Sequence, residues 1–83
     1  MNRDDVIEAV YEACTEVLGA DRSALSEATA FAADLDADSL ALVEIVMQLE
    51  ERFDLRIPES ELEGVSTVAL AADLVVRHLE AAA

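Results

Sequence analysis

Three stretches of this chain repeat apolar residues every three or four positions, and no stretch of useful length alternates them every two. That spacing lines apolar side chains along one face of a helix and offers no face for a sheet, so the chain is expected to be all-α. The first stretch runs from about Asp4 to Leu18. Val6, Ile7, Val10, Cys14, Val17 and Leu18 share one side of it, Asp5, Glu8, Glu12 and Glu16 the other, and Gly19 stands where a helix C-cap belongs. The second should begin at Asp38 or Ser39, with the Asp38 carboxylate accepting first-turn amides. It should end near Phe53, before Asp54 and the Ile57-Pro58 pair, because the residue before proline avoids the helical region. Ser66 or Thr67 can cap the third, which runs to about Leu79 and buries Val68, Ala71, Ala72, Val75 and Leu79. Glu59 to Glu63 fit a single short helical turn stopped by Gly64. Residues 20–37 keep no period and read as a long ordered loop pinned by Leu25, Phe31 and Leu35; loops of that length are often functional.

Length allows one domain, residues 1–83, with no room for a second core. The apolar share of 54% is that of a globular chain, but the aromatics are only Tyr11, Phe31 and Phe53, so the core is thin. Met1 to Glu8 is polar and acidic, unlike a signal peptide or a membrane span. The lone Cys14 has no disulfide partner and falls on the apolar stripe, as a buried structural thiol does. A cytoplasmic location is expected.

Charge narrows the function classes. Five arginines, no lysine and nineteen carboxylates give −14. Nucleic acid is excluded, because phosphate binding needs clustered cations, and anionic membranes are disfavoured for the same reason. Basic patches on partner proteins are the complementary surface. Metal binding is not expected. One cysteine and one histidine, far apart, do not make a zinc site. Asp34, Asp36 and Asp38 alternate like the opening of a calcium loop, but Ser39 and Ile45 stand where its glycine and glutamate belong. His78 reads as a residue near a helix C-terminus, favoured there by the dipole. Two glycines, Gly19 and Gly64, cannot build a phosphate loop, so an enzyme is not expected.

The most informative tripeptide is Asp38-Ser39-Leu40. A catalytic serine needs a nearby proton acceptor, and Ser39 has acids around it and no base. A displayed, unactivated serine fits an attachment point that another enzyme modifies. The free amides of a helix start also tolerate an attached phosphate. Behind Ser39 the helix carries two apolar stripes. Leu42, Val46, Leu49 and Phe53 form one, taken as the core face. Leu40, Val43 and Met47 form the other, at i, i+3 and i+7, edged by Glu44 and Glu51 on one side and Glu50 on the other. Either the second stripe touches the long loop or another helix, or it docks a partner whose apolar groove is bordered by Arg and Lys; the acidic rim favours docking.

From Phe31 to Val76 the chain closely resembles an acyl carrier protein. The resemblance rests on Asp34-Leu35, Asp38-Ser39-Leu40, Val43-Glu44, Met47, Leu49-Glu50-Glu51, Phe53, Ile57-Pro58 and Thr67-Val68. It implies a four-helix bundle of three principal helices plus one short helix, with a long first loop. It further implies that Ser39 receives 4'-phosphopantetheine from coenzyme A through a phosphopantetheinyl transferase, and that acyl intermediates ride as thioesters on the arm's thiol. Ketosynthase, acyltransferase and other synthase enzymes of fatty-acid or polyketide biosynthesis are the implied partners, and a monomer is expected. Asp38, Leu40, Val43, Glu44, Met47, Glu50 and Glu51 match the family's recognition positions; Val46, Leu49, Ile57 and Leu62 would line an acyl-sheltering cavity. Two departures stand out: Asp36 occupies a position where family members commonly carry glycine, and Ala41 follows Asp-Ser-Leu where fatty-acid carriers often have a polar residue. The run Asp38 to Leu42 is similar to carriers of bacterial polyketide systems. A peptidyl carrier and an unmodified acidic helical adaptor are the alternatives.

Overall fold

The structure is a computed structural model that describes residues 2–82. In chain order it contains α1 (Arg3–Leu18), a 3₁₀ turn (Arg22–Ala24), α2 (Phe31–Leu35), α3 (Ser39–Phe53), a 3₁₀ helix (Glu59–Gly64) and α4 (Val68–Ala82). α1 packs against both α3 and α4. It begins at Arg3, one residue before the expected start, with Asp4 and Asp5 in its first turn. At its far end Gly19 takes the left-handed conformation, φ 68°, and donates its N–H to Thr15 O at 3.0 Å. The cap that the pattern missed is Asn2, whose Oδ1 accepts the Asp5 N–H at 3.0 Å.

The core is built from Val6, Val10 and Cys14 of α1, Ile45 and Leu49 of α3, and Val68 and Val75 of α4, all fully buried. Tyr11 and Phe31 are buried with them, and the Arg22 guanidinium lies 4.0 Å above the Tyr11 ring. Burial pushes the Cys14 thiol from 9.0 up to about 11, which keeps it protonated and inert. The expected core face of α3 needs correction. Ile45 is 0% exposed although it stood outside the stripe, whereas Leu42 and Phe53 are only half-buried. In α4, Leu74 is buried and Leu79 half-buried.

The segment 20–37 is more structured than a loop. It holds both a 3₁₀ turn and α2, and Leu25 and Phe31 do enter the core, with Leu35 packed at its edge. What orders it is the start of α4. The first amides of a helix have no partner within it. Here Val68 N–H donates to Thr29 O and Ala69 N–H to Glu27 O, each at 3.0 Å, and Leu70 N–H reaches Thr67 Oγ1 at 3.3 Å. In return Phe31 N–H donates to Ser66 O at 3.0 Å, beside an isolated antiparallel bridge between Ala30 and Thr67. Thr29 is buried, and its Oγ1 accepts the Ser26 N–H at 2.8 Å. The expected turn after Pro58 forms as a 3₁₀ helix that extends through Gly64.

Candidate functional site: the serine at the head of α3

Ser39 is the first residue of α3, exposed to solvent. The helix starts there because Asp38 caps it: Asp38 Oδ1 accepts the Ala41 N–H at 2.9 Å, and Asp38 O accepts the Leu42 N–H at 3.1 Å. The amides of Ser39 and Leu40 stay without intrahelical acceptors. No side-chain hydrogen bond reaches Ser39 Oγ among the described residues. His78, the single imidazole, is engaged elsewhere: its Nε2 lies 2.8 Å from Glu61 Oε2, so it ties α4 to the 3₁₀ helix rather than serving the end of α4. Ser39 is therefore presented without an activating base.

Chain geometry fixes how Ser39 is approached. α2 ends at Asp36 in the left-handed region, φ 52° and ψ 34°, and Ala37 N–H closes back onto Phe31 O at 2.9 Å. Asp34 Oδ2 accepts the Ala30 N–H at 2.8 Å. The three alternating aspartates thus cap, turn and cap in succession.

Two clefts open on Ser39. One, of about 300 Å³, runs between α2 and α3 and is walled by Ala30, Ala33, Ala37 and Val65. The other, of about 240 Å³, lies between α3 and the 3₁₀ helix and is lined by Leu42, Val43, Glu59, Leu62 and Glu63. Leu42 borders both. No Arg or His lines either cleft among the described residues. An exposed hydroxyl, free amides at a fifteen-residue helix start and adjoining apolar space fit a covalently attached phosphopantetheine. The bond at Ser39 Oγ, not ion pairing, would hold the phosphate, since among the described residues that line the two clefts only carboxylates carry charge. When bound, the group supplies a thiol at the end of a long arm.

The seven expected docking positions do not stand alike. Leu40 (66% exposed) and Met47 (56% exposed) project from α3, whereas Val43 is half-buried against the core. The exposed stripe is therefore narrower than the helical wheel suggests. Glu44 and Glu51 are exposed beside it. Glu50 is partly turned inward, its Oε2 accepting the Ile57 N–H at 2.7 Å. Asp54, Leu55 and Arg56, outside the expected docking positions, share a hollow with Met47, Glu50 and Glu51; the sequence marks Asp54 only as a helix stop. Of the expected cavity residues, Val46, Leu49 and Ile57 are packed in the core, and Leu62 alone also lines a cleft at Ser39.

Comparison with known proteins agrees with this geometry. A family profile described as the phosphopantetheine attachment site matches residues 8–75, reaching into α1, where the sequence shows resemblance in pattern only. An acyl carrier protein of Rubrobacter xylanophilus is 42% identical over 78 residues, covering 94% of this chain and 96% of its own. That of Cyanidioschyzon merolae is 41% identical over 78 residues, covering 94% of this chain and 86% of its own. The solved structure of an acyl carrier protein from Enterococcus faecalis superposes with a TM-score of 0.75 at 27% identity, covering 94% of this chain and 99% of that one.

Proposed function

We infer that Ser39 bears the prosthetic arm, because the chain belongs to the acyl carrier proteins. The protein carries acyl intermediates as thioesters on phosphopantetheine for biosynthetic enzymes. The observation that supports Ser39 is its position: an exposed hydroxyl at a capped helix start, without a side-chain hydrogen bond among the described residues and bordered by two clefts. Catalysis then belongs to the partners. A transferase must supply the base that Ser39 lacks, and synthase enzymes such as a ketosynthase or acyltransferase act on the cargo. Leu40 and Met47, with Glu44 and Glu51 beside them, suit an apolar groove bordered by Arg and Lys. Asp38, Val43 and Glu50 support that surface from below by capping α3, packing under it and holding the chain at Ile57. No described helix is long and apolar enough to cross a membrane, and a monomer working in the cytoplasm is the simplest setting.

The test is intact-mass measurement after incubation with coenzyme A and a promiscuous phosphopantetheinyl transferase. The unmodified protein gains the mass of one arm, and Ser39→Ala gains none. An arm on Ser39→Ala overturns the assignment.

A further inference from the structure

The exposed stripe of α3 does not stop at Met47. Beyond it a hollow of about 320 Å³ opens where the helix ends, lined by Met47, Glu50, Glu51, Asp54, Leu55 and Arg56. It lies at the end of α3 opposite Ser39, about 20 Å along the helix axis. Met47 is exposed and Leu55 half-buried, so the two supply apolar surface inside a charged rim. The backbone beneath is fixed. Asp54, in the left-handed conformation with φ 53°, donates its N–H to Glu50 O, and Leu55 N–H donates to the same oxygen at 3.0 Å. Ile57 N–H donates to Glu50 Oε2 at 2.7 Å. Arg56 is thus carried between two anchored amides, on a turn that needs no reordering to receive a partner.

The charge of Arg56 is out of keeping with its surroundings. The end of α3 is the negative pole of the helix dipole, and Glu50, Glu51 and Asp54 stand around the hollow. Arg3, Arg22 and Arg52 each bridge to a carboxylate of another element, yet Arg56 makes no ion pair and no side-chain hydrogen bond among the described residues. Glu50, which shares the hollow, has its Oε2 committed to Ile57. The exposed guanidinium therefore keeps its N–H donors for a group from outside the molecule.

We propose that this hollow is the part of the docking face that selects among partners. It takes an apolar side chain of a biosynthetic enzyme against Met47 and Leu55, and Arg56 pairs with an Asp or Glu standing beside that side chain. Along the rest of α3, Glu44 and Glu51 call for Arg and Lys. A partner that continues that pattern to the end of the helix meets Arg56 and is repelled. The complementary surface is thus basic along α3 and acidic at its far end. This inference rests on docking through Leu40 and Met47, and the two can fail separately.

The experiment measures the Kd of the arm-bearing protein with the ketosynthase and with the acyltransferase of the same cell. Net charge alone makes Arg56→Glu, which is more acidic, bind a basic partner more tightly; a carboxylate opposite Arg56 makes it bind more weakly. Arg56→Gln is expected to weaken binding to at least one of the enzymes about threefold, and Arg56→Glu about tenfold, with the losses shrinking as salt is raised. Arg77→Glu makes the same change in net charge at an exposed arginine outside the hollow and is expected to bind no more weakly than the wild type. Replacing the enzyme's surface Asp and Glu by Lys, one at a time, is expected to yield one variant that recovers Arg56→Glu and loses the wild type. Arg56→Glu binding both enzymes as tightly as the wild type, a loss matched by Arg77→Glu, or the lack of any recovering variant overturns the proposal. Leu40→Ala, outside the hollow, reads the docking face itself. If it weakens binding and Arg56→Glu does not, only the selection by Arg56 falls; if neither weakens binding, the docking face falls with it.

Discussion

At Asp36 a single side chain occupies a backbone conformation that few residues accept. Its φ of 52° lies in the left-handed region, where a Cβ crowds the following carbonyl and where glycine, asparagine and aspartate are the usual residues. The glycine common to acyl carrier proteins at this point is explained by that geometry: α2 must reverse within two residues so that Asp38 can cap α3. Aspartate tolerates the turn at a modest cost. Asp36→Gly is expected to stabilise the fold by about 0.5 kcal/mol, the conformational relief outweighing the freedom returned to the unfolded chain. Asp36→Val is expected to lose about 1–2 kcal/mol. Urea denaturation midpoints measure both, and a glycine variant that unfolds earlier than the wild type contradicts the reading. The sequence displays the departure from glycine, but the reason for the glycine appears only in the backbone angles. Asp54, φ 53°, ends α3 in the same way.

Among the elements, α3 depends on its first turn. The Asp38 carboxylate satisfies the Ala41 amide at 2.9 Å, and substitution of such caps by alanine costs about 1 kcal/mol. Asp38→Ala should lower the unfolding free energy by that amount and speed amide exchange at Ala41 and Leu42; exchange unchanged at both contradicts the role. This cap was legible in the sequence, as were the spans of α1, α3 and α4, because amphipathic spacing and end residues are local properties. α2 was not. Five residues are too few for periodicity, and α2 is held by the hydrogen bond from Phe31 to Ser66, a contact no local pattern records. Ile45 was missed for a related reason. A helix packed along a wide arc buries more positions than one stripe, and Ile45, fully buried, sits about 40° beyond Leu49 on the side away from Leu42. The stripe proposed for docking is marked by its residue types but not by its exposure, since Val43 and Glu50 turn towards the molecule's own interior.

For the whole molecule, charge is the dominant unbalanced quantity. Arg3 bridges Glu27 and Asp73, Arg22 pairs with Glu8, and Arg52 pairs with Glu12, each joining separate elements. These pairs are exposed and contribute little individually, so a formal charge of −14 remains to oppose compaction. Added sodium chloride or magnesium should therefore raise the melting temperature, by roughly 4–8 °C for each 1 kcal/mol of relieved repulsion in a domain this small. A melting temperature flat in both salts contradicts this.

The hydrogen bonds from Val68 and Ala69 to Thr29 and Glu27 carry a consequence for the order in which the chain is made. During synthesis, residues 27 to 31 leave the ribosome before the amides that hold them do. The turn leading into Ser39 thus acquires its native partners only once α4 has begun to emerge. Until then a nascent chain displays the serine without its finished surroundings, so an enzyme that reads the folded surface would act there only after α4 has emerged.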